Sequence, residues 1–223
     1  MASIPVIPNS VAANSEVDIV TVTAVNTGVG GIAGRLAVTK PKRKFTCTVG
    51  PADAPAVRMI YYTHRSRWPV AIRDWGEYIF EDEELTYSAG DSSNYLAPLR
   101  RLIQAAPGAR YWHQRVLLPD ESDPDFPAVI KVDGVALPRD VWVFDDFGIA
   151  NIPQVHVPSG SVITWSGRAF VPVVFQDGSL AIQISVKQQN ITDYGVQSIQ
   201  TVTLNEIFEE ELINLMTETD DSI

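Results

Sequence analysis

The sequence predicts a mainly β protein: a β-sandwich or belt-type domain with one short α-helix packed on it, α+β in its first half and all-β in its second. Three observations carry this. Gly (14) and Pro (15) cut the 223-residue chain into short segments. Those segments place Val, Ile, Thr and Tyr at alternating positions, the period of a half-buried strand. In the second half, turn signals recur roughly every 8–12 residues, as in sandwiches and barrels. The length suits one large domain with a single substantial core.

The elements follow in order. Val17 to Val25 (VDIVTVTAV) reads as a strand, closed by a tight turn at Gly28-Val29-Gly30-Gly31. Arg35 to Thr39 and Lys42 to Val49 are the next strands, split by Pro41. Asp53 to His64 is the helix. Asp53 suits the N-cap, and Pro55 falls in the first turn, where its missing N–H costs little. Val57, Ile60, Tyr61 and His64 share one helical face. Trp68 to Phe80 returns to strand chemistry. Glu81-Asp82-Glu83-Glu84 and Gly90 to Asn94 read as exposed loop. Leu96 to Gln104 has helical spacing at Leu96, Leu99 and Ile103, against which Pro98 argues.

Arg110 to Leu118 is a strand and Pro119 to Pro127 a loop. Ala128 to Val132, Asp133-Gly134 and Val135 to Leu137 form a hairpin, because Asp-Gly supplies the positive φ angles of a two-residue turn. Val141 to Phe144, Ser161 to Trp165, Phe170 to Phe175, Leu180 to Val186 and Val196 to Leu204 are further strands. The loop at 119–127 divides the belt into 1–118 and 119–205. Residues 206–223 are an acidic tail or short amphipathic helix.

Charge is uneven. Residues 1–115 hold 13 basic and 10 acidic groups (+3), and residues 116–223 hold 4 and 17 (−13). The net charge of −10 argues against a general phosphate-backbone binder. No apolar run is long enough for a membrane helix, and Met1 to Pro8 lacks the basic start of a signal peptide. Cys47 is the only cysteine, which excludes an internal disulfide and reads as a small buried hydrophobe.

Gly28, Gly30 and Gly34 follow a strand, but no helix N-terminus follows to hold a pyrophosphate, so they read as a turn. His64, His113 and His156 lack metal-ligand spacing. Asp120, Glu121, Asp123 and Asp125 lack the Gly bend and distal Glu of a calcium loop, and read as a solvated loop. Ser161 lacks the second glycine of a nucleophile elbow. Lys40-Pro41-Lys42-Arg43-Lys44 reads as a lysine-protected strand edge, with a phosphate contact as the other reading. Asp74 and Glu77 beside Trp68, Trp75 and Tyr78 would suit a sugar site, although core packing explains the same aromatics. Trp75 would cost roughly 3–5 kcal/mol on truncation if its ring is buried.

One set of motifs goes further. Arg73-Asp74-Trp75-Gly76-Glu77-Tyr78 directly follows the candidate helix and an aromatic-rich strand. Tyr111-Trp112-His113-Gln114-Arg115 and Val129-Ile130-Lys131-Val132-Asp133-Gly134 come next. Asp145-Asp146-Phe147-Gly148-Ile149 follows, then Gly160, Trp165, Gly167, Phe170, Val171, Pro172, Val173 and Phe175. In this order and spacing, over roughly residues 50–205, the chain resembles the distal tail proteins of long-tailed bacteriophages and gene transfer agents.

The resemblance implies a structural virion protein at the tail tip, made in the bacterial host cytoplasm, without catalysis, cofactor or metal. It implies a hexameric ring joining the tail tube protein to the hub or baseplate protein. DNA would pass through the ring without specific binding, and no membrane contact is implied. Arg73, Asp74, Trp75, Tyr78, Asp133, Gly134, Phe170, Pro172 and Phe175 would be structural motif residues. In such a ring part of the acidic half would face the channel, where a repulsive wall does not trap a polyanion, and the near-neutral first half would supply most of the subunit packing. Two other classes stay in view: a carbohydrate-binding or glycan-degrading sandwich at the tail tip, and a nucleic-acid module using Lys40–Lys44.

Overall fold

A computed structural model describes residues 4–20, 23–24, 37–38, 42–64, 68–90, 93–104, 112–145, 147–176, 181–190 and 193–207. The fold is mainly β. The described residues form a ten-stranded sheet, a four-stranded sheet and two two-stranded ladders. The long strand Ile163–Phe175 organises them. Its first half lies between Val129–Val132 on one side and Ile79–Leu85 on the other. Its second half pairs with Val70–Ile72 and with the end of Asp193–Glu206. From there the sheet continues through Lys42–Val49 to an outer strand, Ser15–Val20.

Two cores sit along this one strand. Around its second half, Val171, Val173 and Phe175 join Phe45, Cys47, Val49, Val202 and Leu204. The helix Ala54–His64 covers that core, as its spacing predicts. Val57 is fully buried, Ile60 and Tyr61 pack beside it, and the Tyr61 ring meets Phe175 edge-on at 5.1 Å. Full burial of such a side chain is worth about 1.5–3 kcal/mol. Around the first half, Ile163 and Trp165 join Ile130, Ala97, Ala150 and Ile152. Ala97, Ala150 and Ile152 belong to the four-stranded sheet, so here two sheets face each other across a core. Both cores draw residues from each side of the 119–127 loop.

Several elements differ from the sequence reading. A second helix, the single turn Asn9–Ala12, precedes the first strand. Within Val17 to Val25 the described residues are strand, in Ser15–Val20 and Thr23–Ala24, while residues 21, 22 and 25 lie outside the described residues. Trp68 to Phe80 is not continuous: it splits into Val70–Ile72 and Ile79–Leu85, because residues 73–78 turn to bring Arg73 and Asp74 to ionic partners. Glu81 to Glu84 is strand rather than loop. Phe80 and Leu85 anchor it in the second core while the carboxylates point outward. Ser161 to Trp165 and Phe170 to Phe175 join in one strand, Ile163–Phe175, which runs through Gly167 unbroken, and the bulge beside it lies in Ile79–Leu85. At that bulge Glu81 and Asp82 face the single Ser166, and Asp82 takes φ 50°. Leu96 to Gln104 is two strands, Asn94–Pro98 and Arg100–Gln104, meeting at buried Leu99.

The basic run is also corrected. Lys42–Val49 is an inner strand, flanked by Ser15–Val20 and Asp193–Glu206, so Lys42 and Lys44 do not guard an edge. The Gly28–Gly31 turn, Lys40, Pro41 and residues 208–223 lie outside the described residues.

Candidate functional site

The motif Arg73-Asp74-Trp75-x-x-Tyr78 sits where the sheet meets the 119–127 loop. Val70 and Ile72 face the first core while Ala71 faces a smaller cluster with Leu118, Phe170 and Ile207. The alternation carries on past the strand, so Arg73 and Asp74 project to opposite faces. Asp74 Oδ2 accepts a hydrogen bond from Arg43 Nη1 at 2.6 Å, and its other oxygen accepts the Gly76 N–H at 3.0 Å. Arg43 Nη2 in turn pairs with Glu206 Oε1 at 3.0 Å, and the Arg43 backbone N–H donates to Glu206 Oε2 at 2.8 Å. All three side chains are over nine-tenths buried. Glu77 reaches the same guanidinium at 3.6 Å and Arg101 at 3.4 Å.

On the opposite face Arg73 pairs with buried Asp120. Its guanidinium lies 5.1 Å from the Trp75 ring, 5.4 Å from Tyr78 and 5.5 Å from Phe170. Arg168 pairs with Asp123 and lies 3.7 Å from the Phe126 ring and 5.8 Å from Tyr78. Arg139 pairs with Glu121 at 2.6 Å. The acidic loop is therefore not simply solvated. Three of its carboxylates are held by three arginines from elsewhere in the chain, and aromatic rings alternate with two of those arginines. Such contacts contribute about 0.5–2 kcal/mol each, more where desolvated.

The other motif residues are backbone devices. Asp133 (φ 50°) and Gly134 (φ 80°) form the predicted hairpin turn. Asp133 Oδ1 accepts the Val162 N–H at 2.9 Å. Hydrogen bonds from Ser161 and then from Val162 hold its carboxyl below the ordinary value. Asp82 is lowered too, chiefly by its hydrogen bond from Lys131 at 2.6 Å. Pro172 has no N–H to donate, and its neighbour Ala71 directs both backbone groups to Pro5 and Ile7 instead. Phe175 closes the first core and Phe170 the smaller cluster. Gly148 has φ 71°, and a Cβ there would lie 2.3 Å from the Leu117 carbonyl oxygen.

Trp75 is 43 % exposed, so the core penalty on its truncation does not apply; among the described residues Trp142 and Trp165 are the fully buried tryptophans. Asp74 and Glu77 both engage Arg43, so the structure brings them to one cation rather than to facing positions across a sugar. Cys47 is buried, and burial pushes its thiol up to about 12. His64 is lowered by burial. An open cleft of about 500 Å³ lies beside Arg73 and Phe170, walled by Val6, Pro8, Asp120 and Ser122. Among the described residues no three His, Cys, Asp or Glu side chains converge as metal ligands.

Sequence reasoning missed the roles of Glu206 and Arg168, read Arg43 as part of a basic strand edge, and read Asp120 and Asp123 as solvated. A signal existed. Arg43 is in phase with Phe45, Cys47 and Val49, and Glu206 with Val202 and Leu204. A charge in the buried phase of a strand calls for an opposite charge in the same phase. No family model matches the chain, and no curated protein matches it at a significant level.

Proposed function

We propose that the protein is a structural subunit of a phage or phage-like tail tip, forming a ring, hexameric by resemblance, between the tail tube and the hub or baseplate protein. The observation that supports this reading is what the motif residues do. Arg73 and Asp74 brace two faces of the sheet, Asp133-Gly134 turns a hairpin, and Phe170, Pro172 and Phe175 fill the sheet's interior. Residues carrying the resemblance thus build a rigid framework, which suits a part whose work is to hold neighbours in place. On this reading DNA passes through the ring unbound, past carboxylates of residues 116–223. Asp120, Glu121, Asp123 and Glu206 are engaged inside the subunit and do not contribute to that wall.

The test is binding of the full chain to candidate tail tube and hub proteins from the same genome. Co-sedimentation with either is the expected result. Absence of binding to both, from a protein that stays monomeric at high concentration, removes the proposal. Exposed Trp75 stacked edge-on with Tyr78 at 5.0 Å favours a second reading, a carbohydrate-binding module. A glycan array tests it: no binding, or binding unchanged by Trp75→Ala, discards that reading.

A further inference from the structure

We propose that the strand Ala181–Asn190 docks as an added strand on the outer strand Ser15–Val20 of a second copy of this chain. The inference rests on the ring reading and names its contact.

The hairpin Ala181–Asn190/Asp193–Glu206 is longer than the sheet it belongs to. Residues 200–205 of its second strand pair with Lys42–Val49, but among the described residues 193–199 pair only with the first strand. Among the described residues the hairpin continues beyond Gln200 as a two-stranded arm. A lone two-stranded ribbon is marginal in water. This one holds only Lys187 and Asp193 as charges between residues 181 and 200. Exposed edges are ordinarily blunted by charge, and a long edge without it invites pairing.

The receiving strand is open in the complementary way. Among the described residues Ser15–Val20 pairs on one side only, with Lys42–Val49. Val17 is 40 % exposed and Ile19 66 %, although they stand in register with buried Phe45 and Arg43. The apolar row of the sheet therefore runs out to its edge uncovered. Glu16 and Asp18 occupy the other row.

The period-two patterns match. Ile182, Ile184 and Val186 alternate with Gln183, Ser185 and Lys187. Strand addition in phase sets the first row beside Val17 and Ile19, and sets Lys187, the one charge of its strand, in the row of Glu16 and Asp18. A one-residue slip would set isoleucines beside the carboxylates, so the register is specified. Within one chain Lys42–Val49 lies between the two surfaces, so the arm does not meet its own edge. Because the two surfaces differ, the contact is head-to-tail and repeats from copy to copy, closing where the rotation fits.

The test uses the full chain with Ile19→Cys and Ile184→Cys together and singly. Under oxidation the double variant gives a covalent ladder of dimers, trimers and higher species, while neither single variant gives more than a dimer. As a second measure, Lys187→Glu weakens self-association about fivefold, and Asp18→Lys added to it restores the loss. A double-cysteine protein that assembles into rings without a covalent ladder overturns the arm contact and leaves the ring reading standing. A protein that neither assembles nor binds tube or hub overturns both.

Discussion

At the scale of single residues, the brace through Arg43 makes the sharpest demand. It lies between two buried carboxylates, Asp74 and Glu206, so removing it leaves both without that cation. Arg43→Met is expected to lose about 3–5 kcal/mol in urea unfolding. Combining it with Asp74→Ala costs less than the sum of the two single changes. Trp75→Ala behaves differently. Its ring is 43 % exposed, and truncation removes its contacts with Tyr78 and Arg73, so about 1 kcal/mol is expected by the same measurement. The motif residues were legible in the sequence as a set, but the partners of Arg73 and Asp74 were not. Asp120 lies 47 positions from Arg73, and Glu206 lies 163 from Arg43. No local pattern ties residues so far apart; only strand phase hinted that Arg43 and Glu206 point inward.

At the scale of elements, the helix 54–64 and the Asp-Gly hairpin were readable because their signals are local: a 3.6 period in one case, two positive φ angles in the other. The long strand Ile163–Phe175 was not readable as one element. Glycine signals a break in sequence, whereas Gly167 here allows Ala128 to approach, its Cα lying 3.3 Å from where a Cβ would stand. Gly148 does require its glycine. Gly148→Ala puts a methyl group against the Leu117 carbonyl oxygen in a left-handed backbone, and a loss of at least about 2 kcal/mol is expected in thermal or urea unfolding. The hairpin 129–136 is tied down by two carboxylates, Asp133 to Val162 and Asp82 to Lys131. Both are lowered from the ordinary 3.8, so they favour the folded state above that value and cease to do so as pH falls through their folded values. Amide exchange at residues 129–136 should therefore speed up, relative to the cores, on acidification below about pH 4.

At the scale of the molecule, one strand threads two cores, and arginine pairs on both sheet faces fasten the acidic loop and the end of the last strand to it. The fold class was legible because alternation and turn spacing report local backbone. The way two cores share Ile163–Phe175 depends on which distant strands pair, which those signals do not encode. A braced sheet whose outer strand Ser15–Val20 pairs on one side only, among the described residues, is physically suited to repeated contact with its own copies. We propose function as a tail-tip ring, and negative-stain electron microscopy of the full chain, mixed with candidate tail tube and hub proteins from the same genome, tests it most directly. Rings with a central channel, stacked on the end of the tube, are expected. Particles that remain single subunits, with tube ends bare, would contradict it.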